Sequence, residues 1–142
     1  AEGASVLVDT PMVAQGITAE GARGNGRVVC TYREPGAAAT AAAQGCTRSA
    51  AAVEHWGSRL DGAVVAIGNA PTALFRLLEL LDKGAARPAA IVAFPVGFVG
   101  AAESKAELAR DSRGVPFLTL LGRRGGSALA AAAINGFFEG LP

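Results

Sequence analysis

The stretch Ala63-Val64-Val65-Ala66-Ile67-Gly68-Asn69-Ala70-Pro71-Thr72 decides the fold class of this 142-residue chain. Its first five residues are all apolar, which is typical of a strand buried on both faces, as strands of parallel sheets are. Gly68 and Pro71 interrupt that run. Leucines then recur at intervals of three and four residues, which predicts a helix that Gly84 ends. This stretch therefore predicts a buried strand, a polar turn and a helix.

The same alternation of short apolar runs and helical patterns extends through the rest of the chain. Further strands are predicted at residues 5–8, 27–32, 89–93 and 116–120, and further helices at 49–60, 103–110 and 127–138. Strand–helix–strand repetition implies parallel pairing with right-handed crossovers. The sequence therefore predicts an α/β protein with a three-layer α/β/α fold and a mainly parallel sheet. Its length suits a single domain over residues 1–142.

The overall composition restricts the classes of function. Hydrophobic residues make up 51% of the chain and charged residues 18%, with a net charge of +1, which is typical of a compact globular protein. The chain has no basic block of the kind that predicts a nucleic-acid partner. No uncharged apolar run reaches the roughly 18–20 residues of a membrane span. Cys30 and Cys46 are too few and too far apart for a metal site or redox pair. We expect buried, reduced thiols in a cytoplasmic protein.

Polar and glycine-rich segments follow four of the predicted strands, at residues 9–12, 68–72, 95–105 and 122–127. In open α/β sheets, ligands bind outside the carboxyl ends of the strands. Each segment leads into a helix start, where free amides and the helix dipole favour anions. Positive charge is added by Arg48, Lys105, Arg123 and Arg124. The sequence therefore predicts a broad pocket for a polyanionic small molecule.

Structural roles explain the same residues equally well when each is taken singly. Asn69 and Pro71 match an N-cap followed by a first-turn proline. Glu103 and Lys105 fit a solvated first helical turn. His55 is the one histidine of the chain, and it falls off the apolar stripe of its predicted helix. We therefore expect His55 to be an ordinary surface residue.

Four motifs are long enough to compare with known families. They are Thr47-Arg48-Ser49-Ala50-Ala51, Gly68-Asn69-Ala70-Pro71-Thr72-Ala73-Leu74-Phe75, Pro95-Val96-Gly97-Phe98-Val99-Gly100-Ala101-Ala102-Glu103-Ser104-Lys105 and Gly122-Arg123-Arg124-Gly125-Gly126-Ser127-Ala128. In sequence, order and spacing they resemble the precorrin-8X methylmutase family, also called precorrin isomerase. The third motif is the most specific, and the resemblance covers essentially the whole chain.

The resemblance implies an α/β/α homodimer with its active site near the subunit interface. It also implies an isomerase of cobalamin (corrin-ring) biosynthesis that binds a tetrapyrrole substrate and needs no cofactor. The reaction moves a methyl group from ring carbon 11 to ring carbon 12 of precorrin-8X and gives hydrogenobyrinic acid. A cobalt-precorrin-8 methylmutase of the anaerobic pathway is an alternative that the sequence does not separate. The many carboxylates of either substrate agree with the anion pocket.

The candidate substrate-binding residues lie in the strand-end segments and the matched motifs. They are Asp9, Met12, Arg48, Ser49, Asn69, Thr72, Gly97, Gly100, Glu103, Ser104, Lys105, Arg123, Arg124, Gly126 and Ser127. We expect the three arginines and Lys105 to contact carboxylates, because guanidinium groups pair well with them. Gly97, Gly100 and Gly126 let a bulky ligand approach the backbone.

Family members begin with a further helical segment that contains an Arg-Met-x-His-type motif, whose histidine is held to transfer the proton. Nothing in this chain matches that motif, so no catalytic residue is assigned. The chain is expected to be the carboxy-terminal two-thirds of such an isomerase, either truncated or naturally short. A non-catalytic corrinoid-binding protein is a second alternative. A plain α/β module for some other anion is a third.

Overall fold

A computed structural model describes residues 4–23 and 27–140. Within them, five parallel strands form one sheet in the order β2-β1-β3-β4-β5. The strands are β1 (Val6–Val8), β2 (Val28–Val29), β3 (Val64–Ile67), β4 (Ala90–Ala93) and β5 (Phe117–Thr119). Each predicted strand is present, but the second is much shorter than residues 27–32, because β2 is an edge strand that pairs with β1 alone.

Seven α-helices among the described residues cover the two faces of the sheet. They are α1 (Pro11–Gly16), α2 (Glu20–Arg23), α3 (Pro35–Gln44), α4 (Arg48–Glu54), α5 (Pro71–Asp82), α6 (Ala101–Arg110) and α7 (Ser127–Glu139). The predicted three-layer α/β/α fold is confirmed. The strand order reverses direction between β1 and β3, and such a reversal leaves a crevice at the carboxyl ends of these strands.

Two apolar clusters, one on each face of the sheet, form the core. Leu7, Val65 and Ile91 pack with side chains of α4, α5 and α6. The alternate strand residues, Val64 and Val92 among them, pack on the other face against α1, α2 and α7. Full burial of a valine, leucine or isoleucine side chain contributes roughly 1.5–3 kcal/mol, so the sheet that positions the strand ends is firmly held.

The helix predicted over residues 49–60 is divided in two. α4 ends at Glu54, and a separate 3-10 turn spans Gly57–Leu60. Gly57 has a φ of 53°, a left-handed conformation that ends an α-helix. The predicted apolar stripe is nonetheless correct, because Val53, Trp56 and Leu60 are all buried in one cluster.

Arg113 joins α5, α6 and the loop before β5 at the amino-terminal edge of the sheet. Its guanidinium pairs with Asp82 at 2.9 Å and with Glu107 at 3.1 Å. A hydrogen bond from Arg113 lowers the pKa of Asp82, and bonds from Arg110 and Arg113 lower the pKa of Glu107. Because these pKa values are lowered in the folded state, the cluster stabilises the fold above the ordinary values of 3.8 and 4.5. That stabilisation is lost as the pH falls through the lowered pKa values.

Candidate functional site

The main candidate site is a cleft in the crevice between the carboxyl ends of β1 and β3, here called the switch-point cleft. It has a volume of about 300 Å³ and is lined by Thr10, Pro11, Met12, Tyr32, Arg33, Asn69 and Ser127. These residues follow β1, β2 and β3 or begin α7. A slightly larger hollow of about 340 Å³ is lined by Ala14, Gln15, Arg23 and Val28, which belong to α1, α2 and β2 and not to the strand-end loops. The chemistry of the site therefore belongs to the smaller cleft.

Sequence reasoning found part of this cleft and missed part of it. Met12, Asn69 and Ser127 were predicted to bind substrate, and the fold brings all three together. Thr10, Pro11, Tyr32 and Arg33 were missed. Thr10 and Pro11 lie inside a segment that the sequence singled out, and Tyr32 and Arg33 follow β2. The rule that ligands bind outside the carboxyl ends of strands, here called the strand-end rule, finds them when it is applied to β2 as well.

Asp9 is an internal anchor of the cleft. It has no exposed surface, and its carboxylate accepts N–H bonds from Gly68, Asn69 and Ala70 at 2.9, 3.0 and 2.9 Å. Burial raises the pKa of Asp9, although the amide donors oppose that rise. The expected N-cap role of Asn69 is wrong, because Ala70 holds that position without a side-chain cap. Pro71 does begin α5, as predicted.

Two loops beside the cleft are fastened to each other, and we call residues 94–100 and 122–126 the paired loops. The amide of Gly126 donates to the carbonyl of Phe94 at 2.8 Å, and that of Gly97 donates to the carbonyl of Arg123 at 3.3 Å. The side chains of Arg123 and Arg124 stay exposed. The Arg123 guanidinium lies 5.7 Å from the centre of the Phe98 ring. The contacts therefore hold the backbone of the loops and leave both charges available to a ligand.

Lys105 supports the paired loops from inside the protein. The expectation of a solvated first turn is wrong for Lys105, because the residue is buried and its Nζ donates to the carbonyl oxygen of Arg124 at 2.6 Å. Burial lowers the pKa of Lys105. Ser104 is also buried and donates to Ala101 at 2.9 Å, whereas Glu103 is exposed. A direct contact between Lys105 and a ligand carboxylate stays a prediction.

The remaining predicted residues lie at the margin of the cleft or in the helices behind it. Arg48 donates from Nε to the carbonyl of Tyr32 at 2.6 Å, and its guanidinium lies 5.1 Å from the centre of that ring. Arg48 therefore supports one cleft wall. Thr72 is hydrogen-bonded to Thr47 at 2.7 Å, and Ser49 is buried in α4. Gly100 stands at the N-cap of α6 with a φ of 86°, a conformation that favours glycine.

Three large apolar side chains are exposed near the carboxyl ends of the strands, and one of them, Phe98, lies against Arg123. Met12 is 70% exposed, Phe98 84% and Val99 90%. All three follow the carboxyl ends of strands, where ligands of open α/β sheets bind. Exposed apolar groups concentrated in one place indicate contact with a ligand or partner. Together with the arginines, they suit a ligand that has a broad apolar body and several carboxylates.

His55 does not line the switch-point cleft. Its Nε2 is hydrogen-bonded to Thr40 Oγ1 at 2.9 Å, and its ring lies against Gly36. The expectation of an ordinary surface histidine is wrong, because the side chain is half-buried between α3 and α4. Within residues 4–23 and 27–140, no group of three His, Cys, Asp or Glu side chains is placed to hold a metal ion. None of the described helices is both long and apolar enough to cross a membrane.

Comparison with known sequences gives one consistent family. The model of the family described as precorrin-8X methylmutase matches residues 1–139. A precorrin-8X methylmutase of Pseudomonas aeruginosa is 60% identical over 135 residues, which cover 95% of this chain and 65% of that protein. A second precorrin-8X methylmutase, from Sinorhizobium sp., is 59% identical over 133 residues, which cover 94% of this chain and 63% of that protein. The chain thus spans slightly less than two-thirds of these relatives.

Three further matches extend the comparison. A cobalt-precorrin-8 methylmutase of Methanothermobacter thermautotrophicus is 39% identical over 92% of this chain and 59% of its own length. Among solved structures, a precorrin-8X methylmutase related protein superposes with a TM-score of 0.89 at 34% identity, over 99% of this chain and 73% of its own. The precorrin-8X methylmutase of Thermus thermophilus superposes with a TM-score of 0.82 at 40% identity, over 96% of this chain and 66% of its own.

Proposed function

Because the chain belongs to the precorrin-8X methylmutase family, we propose that it serves as an isomerase of cobalamin biosynthesis. The reaction moves a methyl group from ring carbon 11 to ring carbon 12 of precorrin-8X and gives hydrogenobyrinic acid. One carbon–carbon bond breaks and another forms, with no net gain or loss of atoms or electrons. The observation that carries the proposal is the family match over residues 1–139.

The site supports a corrinoid as the ligand. A corrinoid acid has a broad, largely apolar ring and many carboxylates around its rim. Met12, Phe98 and Val99 offer exposed apolar contacts, while Arg33 and the two arginines of the paired loops offer positive charge. Guanidinium groups bind carboxylates with two parallel hydrogen bonds, which fixes orientation as well as affinity.

The described residues contribute to the reaction mainly by holding the substrate. A positioned ring and fixed charges lower the barrier of a rearrangement without any covalent step on the protein. The one histidine of the chain pairs with Thr40 and does not line the cleft. General acid–base catalysis contributes about 10²–10⁴-fold to typical rates. We therefore expect the 142-residue chain to bind corrinoids and to convert precorrin-8X slowly or not at all.

Titration with hydrogenobyrinic acid tests the proposal through the visible spectrum of the ring. Wild type should bind, and replacing Arg123, Arg124 or Arg48 with glutamine should each cost about 1.5–3 kcal/mol where the arginine contacts a carboxylate. Arg59→Gln is the matched control, because it removes the same charge from an exposed position outside the cleft. Unchanged affinity in all three variants would refute the assignment of these arginines.

Three alternatives are separated by related experiments. Relatives named cobalt-precorrin-8 methylmutase favour a cobalt-containing substrate, so the cobalt complex of the same acid should be titrated in parallel. The absence of a histidine in the cleft favours a non-catalytic corrinoid-binding protein, which turnover of precorrin-8X would exclude. A tight coloured complex would exclude a module for an unrelated anion.

We also propose a two-fold homodimer, supported by exposed apolar side chains on β5, on the residues just after it and on α7. Leu118, Leu121, Leu129 and Phe137 are all exposed by 44% or more. A monomer rarely exposes so many large apolar groups on neighbouring elements. Light scattering at micromolar concentration should give the mass of two chains, and Leu118→Lys should shift it toward one. A well-behaved wild-type monomer would contradict the dimer.

A cytoplasmic location belongs to the same proposal. Cys30 and Cys46 are free thiols, and both are half-buried instead of fully buried as the sequence suggested. Free thiols are typical of reducing compartments.

A further inference from the structure

We propose that Lys105 is a positioning residue for the ligand, which holds the loop that carries Arg124 from inside the protein and does not touch the ligand itself. This role rests on the proposed function, since a corrinoid acid would supply the carboxylate that Arg124 binds. It goes further by making affinity for the ligand depend on a side chain that does not line the switch-point cleft.

The first observation is the place of the Lys105 ammonium group. Lys105 is the fifth residue of α6, and it has no exposed surface. Its Nζ donates to the carbonyl oxygen of Arg124 at 2.6 Å, although the two residues are 19 apart in sequence. A ligand could reach this ammonium only after the loop had opened. The geometry therefore favours support of the loop over direct contact with a carboxylate.

The second observation is that this ammonium has no carboxylate partner among the described residues. Within residues 4–23 and 27–140, Lys105 takes part in no ion pair. Burial lowers the pKa of Lys105. A buried charge without a counter-ion costs free energy, and an apolar side chain of similar volume is often no worse for stability. Proteins break local rules of this kind mainly at functional sites. Lys105 therefore suits a role in binding better than one in stability.

The third observation is how the neighbouring residues of the paired loops are fastened. The carbonyl of Arg123 accepts the amide of Gly97 at 3.3 Å, and the amide of Gly126 donates to the other loop at 2.8 Å. Arg124 lies between these two bonds, and its own carbonyl is held by Lys105. Loss of the Lys105 ammonium should therefore displace Arg124 more than Arg123.

Such a displacement matters because the Arg124 side chain is exposed and carries the charge offered to the ligand. A guanidinium binds a carboxylate through two parallel hydrogen bonds, which require a fixed relative orientation of the two groups. A site that is about 1 Å too loose can fail although all of its groups are present. Lys105 fixes the peptide from which this guanidinium extends.

Amide hydrogen exchange of the ligand-free chain tests whether Lys105 holds the loop. Lys105→Met keeps an unbranched side chain and removes both the donor and the charge. Exchange at Gly97 and Gly126 should become about tenfold faster, while exchange in β3 should change by less than about threefold. Lys83→Met is the matched control, because it removes the same charge from an exposed position. Wild-type rates at both glycines, or an equal rise in β3, would overturn the inference.

Titration of the same variants with hydrogenobyrinic acid tests whether this support serves binding. Lys105→Met should weaken binding roughly tenfold, as expected for loss of a hydrogen bond to a charged group. In an Arg124→Gln background it should weaken binding by less than about threefold, because the guanidinium that Lys105 positions is already gone. The melting temperature of Lys105→Met should change little, because the lost bond is offset by removal of a buried charge.

Two binding results would contradict the positioning role. An equal tenfold loss in both backgrounds would mean that Lys105 contacts the ligand directly. Unchanged affinity with a lower melting temperature would make Lys105 purely structural. If Lys105→Met does not fold, Lys105→Gln takes its place in both measurements, because it keeps a polar group on a shorter stem. Wild type that binds no corrinoid would overturn the proposed function, and hydrogen exchange would then decide whether Lys105 holds the loop.

Discussion

Replacing Asp9 with alanine is expected to lower the free energy of unfolding by about 3–5 kcal/mol, because amides left without a partner at a buried site cost about 1–3 kcal/mol each. The carboxylate is fully buried and accepts three of them, from Gly68, Asn69 and Ala70. Water can reach only the partly buried amide of Asn69. Domains are typically stable by roughly 5–15 kcal/mol, so this loss is a large fraction of the total. Urea unfolding at neutral pH measures it.

Two variants show whether the effect comes from these amides. Asp61→Ala removes an exposed carboxylate and should change stability by less than about 0.5 kcal/mol. Asp9→Asn keeps the shape and one acceptor oxygen but turns an NH₂ group toward an amide. Its free energy of unfolding should therefore lie between those of wild type and Asp9→Ala. A loss below about 1 kcal/mol in Asp9→Ala would show that the loop finds other partners.

Gly125→Ala is expected to damage both stability and binding. An added Cβ would lie 2.2 Å from the carbonyl oxygen of Phe94 and 2.7 Å from that of Pro95. These are backbone atoms, so the paired loops must separate, at a cost of about 1–3 kcal/mol or more. That separation would displace Arg123 and Arg124 together. Titration of hydrogenobyrinic acid should therefore show binding weaker by roughly 100-fold or more, because two charged contacts of about 1.5–3 kcal/mol each are lost together.

The matched control is Gly136→Ala in α7. An added Cβ there meets nothing within 4 Å, and alanine is the better helix former, so stability should rise by about 0.5–1 kcal/mol. Affinity for the corrinoid should not change. Wild-type affinity in Gly125→Ala would mean that the fastening of the two loops has no part in binding.

The features that could be predicted from the sequence are those that local residue patterns control. Apolar runs such as residues 63–67 located the strands, and leucine periodicity located α5, because burial on two faces or on one stripe leaves a signature along the chain. The strand-end rule placed Met12, Asn69 and Ser127 in one site, since parallel strands bring their carboxyl ends to the same edge.

What the sequence could not predict depends on partners far along the chain. Asp9 has the local pattern of a strand-end ligand residue, but its amide partners lie 59 to 61 residues away. Lys105 has the pattern of a solvated first turn, but the loop that buries it is 19 residues away. His55 lies off its apolar stripe, yet α3 covers it. Burial of a polar side chain becomes visible only once the tertiary neighbours that satisfy it are known.

The ion pairs around Arg113 have a consequence for how this protein can be altered. They lie at the amino-terminal edge of the sheet, whereas the cleft lies at the carboxyl edge, and strands of three or four residues separate the two. At roughly 3.3 Å per residue these strands span about 10–13 Å, which reaches or exceeds the ~7–10 Å beyond which the effects of substitutions usually add independently. Substitutions around Arg113 that raise the free energy of unfolding would thus offset destabilising substitutions at the cleft. In directed evolution, the amino-terminal edge can hold the protein folded while the opposite edge is varied for new ligands.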